Sequence, residues 1–212
     1  MATLDGFIYL VAPYLKGCSE AAMINALRNS SIRFCTETWI ARETATPISA
    51  IAGQDTYTLA ASSGLEPVGV ISLRYDNVEL DKTTEEKLDQ FDSGWRSASS
   101  GMPTAFMMDS PDVIWLNRAP AVAVSNGIRV RMAVRPTDTS AEVPDILYND
   151  WRKTIMHGAL EELLEMPDKS WSDPKMSAWH GRRQVFGLQS AKARARMGHQ
   201  TTPPSVQPRS WT

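Results

Sequence analysis

The sequence lacks the features that would direct a chain into a membrane or a secretory pathway. No apolar run approaches the roughly 18 to 20 residues that a membrane-spanning helix requires. The N-terminal segment has no Lys or Arg before Lys16, and Asp5 precedes most of its apolar residues, which is the wrong charge order for a signal peptide. We therefore expect a soluble chain that folds in the cytoplasm and has no membrane partner.

Cysteine and histidine are scarce, with two and three residues among 212. Cys18 and Cys35 stand 17 positions apart, without a Cys-x-x-Cys pair or a nearby group of histidines. This spacing excludes a disulfide framework and the common zinc sites. We expect two reduced cysteines that serve in packing, and no metal site.

The motifs of common enzyme classes are also missing. The sequence has no Gly-x-Ser-x-Gly elbow, no phosphate-binding glycine loop, no His-Glu-x-x-His pair and no EF-hand loop. The histidines, His157, His180 and His199, all lie in or next to the predicted C-terminal helices, and for His157 a structural role is favoured. Acidic groups such as Glu85–Glu86 are typical of solvated helix faces. We therefore predict no catalytic residues and no cofactor, and keep a hydrolase with an unrecognised carboxylate site as a minor alternative.

Charge is distributed unevenly along the chain. Residues 1–174 contain all 24 acidic and 15 basic residues, a net charge of −9. Residues 175–212 contain no acidic residue and carry a charge of +7. Such a basic end could neutralise nucleic-acid phosphates or contact an acidic protein surface, and the residues alone do not choose between the two. The seven basic residues are Lys175, Arg182, Arg183, Lys192, Arg194, Arg196 and Arg209.

Hydrophobic periodicity divides the chain into helices, strands and helices again. Ser19 is a suitable N-cap for a helix that reaches Trp39, and a short helical turn precedes it. The clearest strand is 128–135, in which apolar residues alternate with arginines. Further strands are predicted at 55–60, 68–75, 104–108 and 113–116, with turns at Gly53-Gln54, Ser63-Gly64 and Asn126-Gly127 and one acidic helical stretch at 84–91.

Two helices follow the strands. The first begins at Pro144-Asp145 and carries an apolar stripe from Leu147 to Met166. A proline-bounded connector, 167–174, leads to a weaker second helix that ends near Met197 and contains Gly181 and Gly187, so it should need a neighbour for stability. Its apolar residues at related positions are Met176, Trp179, Phe186, Ala193 and Met197.

These patterns predict an α+β fold. Residues 1–42 and 144–197 would form one helical bundle, with residues 43–143 inserted as an antiparallel β module, a small sandwich or barrel. Residues 198–212 contain three prolines and few apolar residues, which indicates an extended C-terminal arm.

Tryptophans mark two further sites. Trp151, Trp171 and Trp179 cluster around the connector in sequence, where they could lock two helices together or anchor a neighbouring subunit. Trp211 stands in the polar arm without a local core to join. We treat it as a candidate anchor for another protein.

Three segments resemble tailed-phage head-to-tail adaptor proteins, the connectors that include the tail tubular protein A type. They are Ala12-Pro13-Tyr14-Leu15-Lys16-Gly17-Cys18, then Ile32-Arg33-Phe34-Cys35-Thr36-Glu37-Thr38-Trp39, and Val143-Pro144-Asp145-Ile146-Leu147-Tyr148-Asn149-Asp150-Trp151. The Gly158-Ala159-Leu160 segment and the Pro167, Lys169 and Trp171 connector also match the pattern. The resemblance spans roughly residues 10 to 198, and the order of its pieces is more specific than any single one.

The resemblance implies a structural virion protein at the neck, assembled in the host cytoplasm. It would form a ring, usually of twelve subunits, that binds the portal protein, carries the tail or nozzle protein, and lets genomic double-stranded DNA pass without sequence-specific binding. The candidate portal-binding residues are Arg182, Arg183, Lys192, Arg194, Arg196, Arg209 and Trp211. A DNA-binding protein that uses the basic C-terminal helix is the alternative from a different class.

Overall fold

The two ends of the chain supply helices, and its middle supplies most of the strands. The computed structural model describes residues 1–91, 94–97 and 99–197. The described residues form an α+β fold, as predicted, while the expected arm at 198–212 lies outside them. The α-helices are α1 (Asp5–Val11), α2 (Glu20–Thr38), α3 (Glu85–Phe91), α4 (Asp145–Glu165) and α5 (Pro174–Met197).

The strands are β1 (Ala2–Thr3), β2 (Arg42–Thr44), β3 (Ile48–Ala50), β4 (Thr56–Thr58), β5 (Leu65–Tyr75), β6 (Val78–Glu79), β7 (Asp81–Lys82), β8 (Ala105–Ser110), β9 (Val113–Leu116), β10 (Val124–Pro136) and β11 (Glu142–Val143). Most of them belong to two sheets. The larger sheet has the order β2-β10-β5-β6, with β3 beside the other half of β10, and the smaller has the order β4-β9-β8-β7. The named strands pair antiparallel, as predicted, except that β7 is parallel to β8. A short pair, β1 with β11, ties the N-terminus to the start of α4.

Helix α2 begins and ends where the sequence indicates. The Ser19 hydroxyl accepts a hydrogen bond from the backbone N–H of Ala22 at 3.3 Å, which confirms the predicted N-cap. The helix ends at Trp39, whose left-handed φ of 54° stops the α-helical pattern. Its inner face buries Leu27 and Phe34 completely.

Strand β10 is the centre of the larger sheet. As predicted, Ile128, Val130, Met132 and Val134 are buried and alternate with arginines. The predicted turn at Asn126-Gly127 is wrong, because these residues lie inside β10, where the pairing with β3 is irregular between Val124 and Ile128. Asn126 has a φ of 53°, so the glycine and asparagine accommodate an irregularity within the strand instead of a reversal of the chain.

Helix α4 connects the helices to one another. It packs against α1, α2 and α5. Its predicted stripe is confirmed, since Leu147, Ile155, Ala159 and Leu163 are fully buried. These residues belong to a continuous apolar core that also includes Ile128 of the larger sheet. Helix α5 packs against both α4 and α2.

Candidate interaction surface

Helix α5 starts at a well-defined cap. One carboxylate oxygen of Asp173, Oδ1, accepts hydrogen bonds from the backbone N–H groups of Lys175 and Met176, both at 3.0 Å. Pro174 occupies the first turn, where a missing N–H costs nothing. Arg194 and Arg196 lie in the last turn, where cations interact favourably with the helix dipole.

Small residues bring α5 close to α4. A Cβ atom at Gly181 would overlap the Glu161 carboxylate, and one at Gly187 would overlap Thr154. On the opposite side of the contact, a Cβ atom at Gly158 of α4 would overlap the side chains of Gln184 and Ser30. Gly181 and Gly187 lower the helix propensity of α5, and they also permit its close packing against α4. The helix therefore gains from this packing the stability that it lacks in isolation.

Several large apolar residues of α5 are exposed, although Leu188 is buried and Trp179 also contacts His157 of α4. Phe186 is 78% exposed and Trp179 is 40% exposed, while the small or polar His180, Gln184 and Ala191 are buried. We call this outer side of the helix the α5 outer face. Its exposed large apolar residues are Met176, Trp179, Val185, Phe186 and Met197. Exposed aromatic residues of this kind are typical anchors of protein interfaces.

The five basic candidate residues on α5 that the structure describes differ in their contacts. Lys192 pairs with Glu37 at 3.1 Å, and the guanidinium of Arg194 pairs with Asp150 at 3.0 Å, so both already have partners within the chain. Arg183 stacks on Trp179 at 5.2 Å. Among the described residues, the side chains of Arg182 and Arg196 have no ion-pair partner, and both are exposed. The α5 outer face thus combines exposed aromatic groups with cations.

A histidine pair supports this face from beneath. The Nδ1 atoms of His157 and His180 are 2.8 Å apart, and the rings of Trp179 and Tyr14 meet His180 edge-on. Burial, followed by the positive charges of His180, Arg183 and Lys153, lowers the pKa of His157 to about 4. Burial lowers the pKa of His180 as well. Both rings are therefore neutral at pH 7, consistent with a packing role.

The three connector tryptophans do not share one cluster. Trp151 packs against Phe34 of α2 at 5.6 Å, Trp171 lies half-buried beside Leu164, and Trp179 is on the α5 outer face. The indole N–H groups of Trp151 and Trp171 are buried without a hydrogen-bond acceptor in the described structure. Whether any of the three contacts another subunit stays a prediction.

Sequence reasoning missed the exposed position of Phe186. Phe186 was grouped with Met176, Trp179, Ala193 and Met197 at related positions of the helix, and the structure exposes these residues. The available signal was the spacing of Ser177, Gly181, Gln184, Leu188, Ala191 and Ala195, which marks a stripe of mostly small residues that fits close helix packing. Two candidates, Arg209 and Trp211, lie outside the described residues.

The described residues contain neither a candidate metal centre nor a candidate membrane-spanning helix. No three His, Cys, Asp or Glu side chains of the described residues are grouped so that they could hold a metal ion. None of the described helices has the length and apolar character needed to cross a membrane.

Comparison with known protein families identifies a match. The sequence model of the SU10 adaptor protein family matches residues 2–208, which is nearly the whole chain. No curated protein matches the sequence.

Proposed function

Because the chain belongs to the SU10 adaptor protein family, we propose that it forms a ring, of twelve subunits, that docks beneath the portal and joins the capsid to the tail or nozzle. The family consists of structural phage adaptors and is not an enzyme class. The chain is accordingly a virion component that assembles with other phage head and tail proteins. We place the protein at the neck of the phage particle.

The observation that carries the docking proposal is the composition of the α5 outer face. Trp179 and Phe186 are exposed beside Arg182 and Arg183, on a helix that contains no acidic residue. Aromatic and arginine side chains dominate the binding energy of protein interfaces. We assign this face to the portal, with the arm at 198–212, including Arg209 and Trp211, as its extension.

The charge of the remaining chain fits the role of a conduit. Residues 1–174 carry a net charge of −9. A channel wall rich in Lys and Arg would hold DNA through phosphate contacts and slow its passage. A ring also needs two different contact surfaces on each subunit, because head-to-tail contacts close only when unlike faces meet.

The alternative, a DNA-binding protein that uses α5, is weakened by two ion pairs. Lys192 and Arg194 are engaged by Glu37 and Asp150, so phosphate contacts there would have to displace carboxylates. Binding through the other cations predicts an affinity that falls steeply with salt concentration. For each phosphate contact, the logarithm of the binding constant should fall by about 0.9 per unit of the logarithm of salt concentration. A flat or absent DNA signal at low salt would remove this alternative.

Binding to purified portal rings tests the docking proposal. We expect Phe186→Ala and Arg182→Glu to weaken binding at least tenfold without lowering the melting temperature, because both side chains are exposed. Arg129→Glu, at an exposed arginine on strand β10, is the control and should bind normally. Deletion of residues 199–212 should also weaken binding. Unchanged binding by both α5 variants would remove the α5 outer face from the mechanism.

A further inference from the structure

A cavity lies where the C-terminal end of α5 meets strands β2 and β10. Its volume is about 510 Å³, within the range of about 300–1,000 Å³ that is usual for ligand pockets. Much of its wall is apolar, formed by Ile40, Leu65, Val134 and Ile146. The cavity is separate from the α5 outer face, since none of the exposed apolar residues of that face lines it.

Three arginines line the same cavity: Arg42, Arg131 and Arg194. The strand pairing explains the first two. Arg42 is opposite Ala133 in the β2–β10 pair, and Arg131 is two residues from Ala133, so the two arginines project from the same face of the sheet. Arg194 comes from the last turn of α5 and is bonded to Asp150.

The other two guanidinium groups have no carboxylate partner in the described structure. Arg42 Nε donates to the carbonyl oxygen of Trp39 at 3.0 Å, and its Nη2 donates to the carbonyl oxygen of Ala195. The Arg131 guanidinium forms no hydrogen bond or ion pair with any described residue. Two cations therefore share one face of the sheet without a counter-charge.

Glu43, the acidic residue that lines the cavity, brings one negative charge against the two unpaired arginines, so an excess of positive charge remains. One oxygen of the Glu43 carboxylate accepts a hydrogen bond from the backbone N–H of Ser62 at 2.8 Å. Burial, and then the positive charge of Arg131, lower the pKa of Arg42, as expected where two guanidinium groups lie close together without an anion. A carboxylate bound between them would relieve this repulsion.

We propose that this cavity binds an acidic segment of a partner protein, with an apolar side chain against the wall and a neighbouring carboxylate on Arg42 and Arg131. The apolar wall favours such a segment over a nucleic-acid backbone, which offers phosphates but no apolar side chain to cover Ile40, Leu65 and Ile146. Charge-assisted bonds to guanidinium supply specificity for the carboxylate. The proposal depends neither on ring formation nor on docking through the α5 outer face.

Selection from a random heptapeptide library on the immobilised full-length protein tests the proposal. We expect enriched peptides to carry Asp or Glu next to a Leu, Ile or Phe. Fluorescence anisotropy of an enriched peptide should then show at least tenfold weaker binding to Arg131→Gln than to the wild-type chain. Arg129→Gln is the matched control: Arg129 lies two residues away on the same face of β10, outside the cavity, and bonds to Asn77 at 3.1 Å.

A second measurement keeps the test decisive if Arg131→Gln disturbs the fold. Replacing the acidic residue of the peptide by its amide should cause the same loss of at least tenfold on the unaltered protein. The proposal is overturned if enriched peptides lack acidic residues, if the amide peptide binds as well as the acid, or if a folded Arg131→Gln variant binds normally. Displacement of the peptide by millimolar inorganic phosphate or by duplex DNA would likewise overturn it, because either would indicate a simple anion site.

Discussion

Glycines determine how closely α4 and α5 approach each other. Gly158, Gly181 and Gly187 each occupy a position where a Cβ atom would overlap a side chain of a neighbouring helix. From the sequence, Gly181 and Gly187 could be recognised as weak points of a helix, but the atoms that require them could not. Those atoms belong to residues far away in the chain, such as Glu161 and Ser30, and no local pattern identifies them.

Gly158→Ala should destabilise the protein by about 1–3 kcal/mol, because the added methyl group overlaps Gln184 and Ser30 in a tightly packed contact. Urea unfolding followed by circular dichroism measures this change. Gly6→Ala is the control in helix α1, where the nearest atom, Cε2 of Tyr148, is 3.4 Å from the new Cβ. There the better helix propensity of Ala should stabilise the fold by up to about 1 kcal/mol. Equal effects of the two substitutions would refute the close-packing account.

The His157–His180 pair should make stability depend on pH between about 6.5 and 4. In the folded chain the pKa of His157 is lowered to about 4 by burial and nearby positive charge, whereas the unfolded value is about 6.5. The unfolded state binds more protons in this interval, so the free energy of unfolding is highest above pH 6.5 and falls as the pH falls towards 4.

Comparison with His157→Gln isolates this effect from the titration of carboxylates. Because His157 is only half-buried, solvent screening reduces its contribution to about 1 kcal/mol. Urea unfolding at pH 7.5, 6.0 and 5.0 should show the wild-type chain losing about this much more than the variant. Parallel pH profiles of the two proteins would contradict a role for the pair.

At the level of elements, hydrophobic periodicity predicted which segments are helices and which are strands. It did not predict which side of each helix packs against its neighbours. Strand β9 (Val113–Leu116) has the bounds that the sequence predicts, and α5 starts within one residue of its prediction. The outward orientation of Phe186 was not predicted, because the positions of the apolar residues do not show that a stripe of mostly small residues packs against α4. The Asp76–Asn77 turn between β5 and β6 was also not predicted.

This turn offers a test of backbone conformation. Asp76 and Asn77 have φ values of 46° and 67°, which fit a two-residue hairpin turn of type I′ between the paired residues Tyr75 and Val78. Asn77→Gly should retain or slightly raise the melting temperature, whereas Asn77→Val should cost about 1–3 kcal/mol because a β-branched residue resists positive φ. The same Asn→Val change at Asn149, on the exposed side of α4, should cost only about 0.5 kcal/mol. Equal melting temperatures for the two valine variants would contradict this assignment.

For the whole molecule, the sequence showed an acidic body and a basic end, but not how the chain neutralises part of that end itself. Lys192 and Arg194 bind Glu37 and Asp150, which are 155 and 44 positions away in sequence. Only folding brings these charges together, so the sequence could not distinguish them from Arg182 and Arg196. The basic surface of α5 that is left without an internal partner is therefore smaller, and more aromatic, than the charge count alone suggests.

Electron microscopy of phage particles assembled with and without this protein tests the adaptor role most directly. We expect particles that contain it to show a ring of its subunits between the portal and the tail, and particles that lack it to accumulate as heads without tails. Heads that join tails normally in its absence, with no density lost below the portal, would contradict the account.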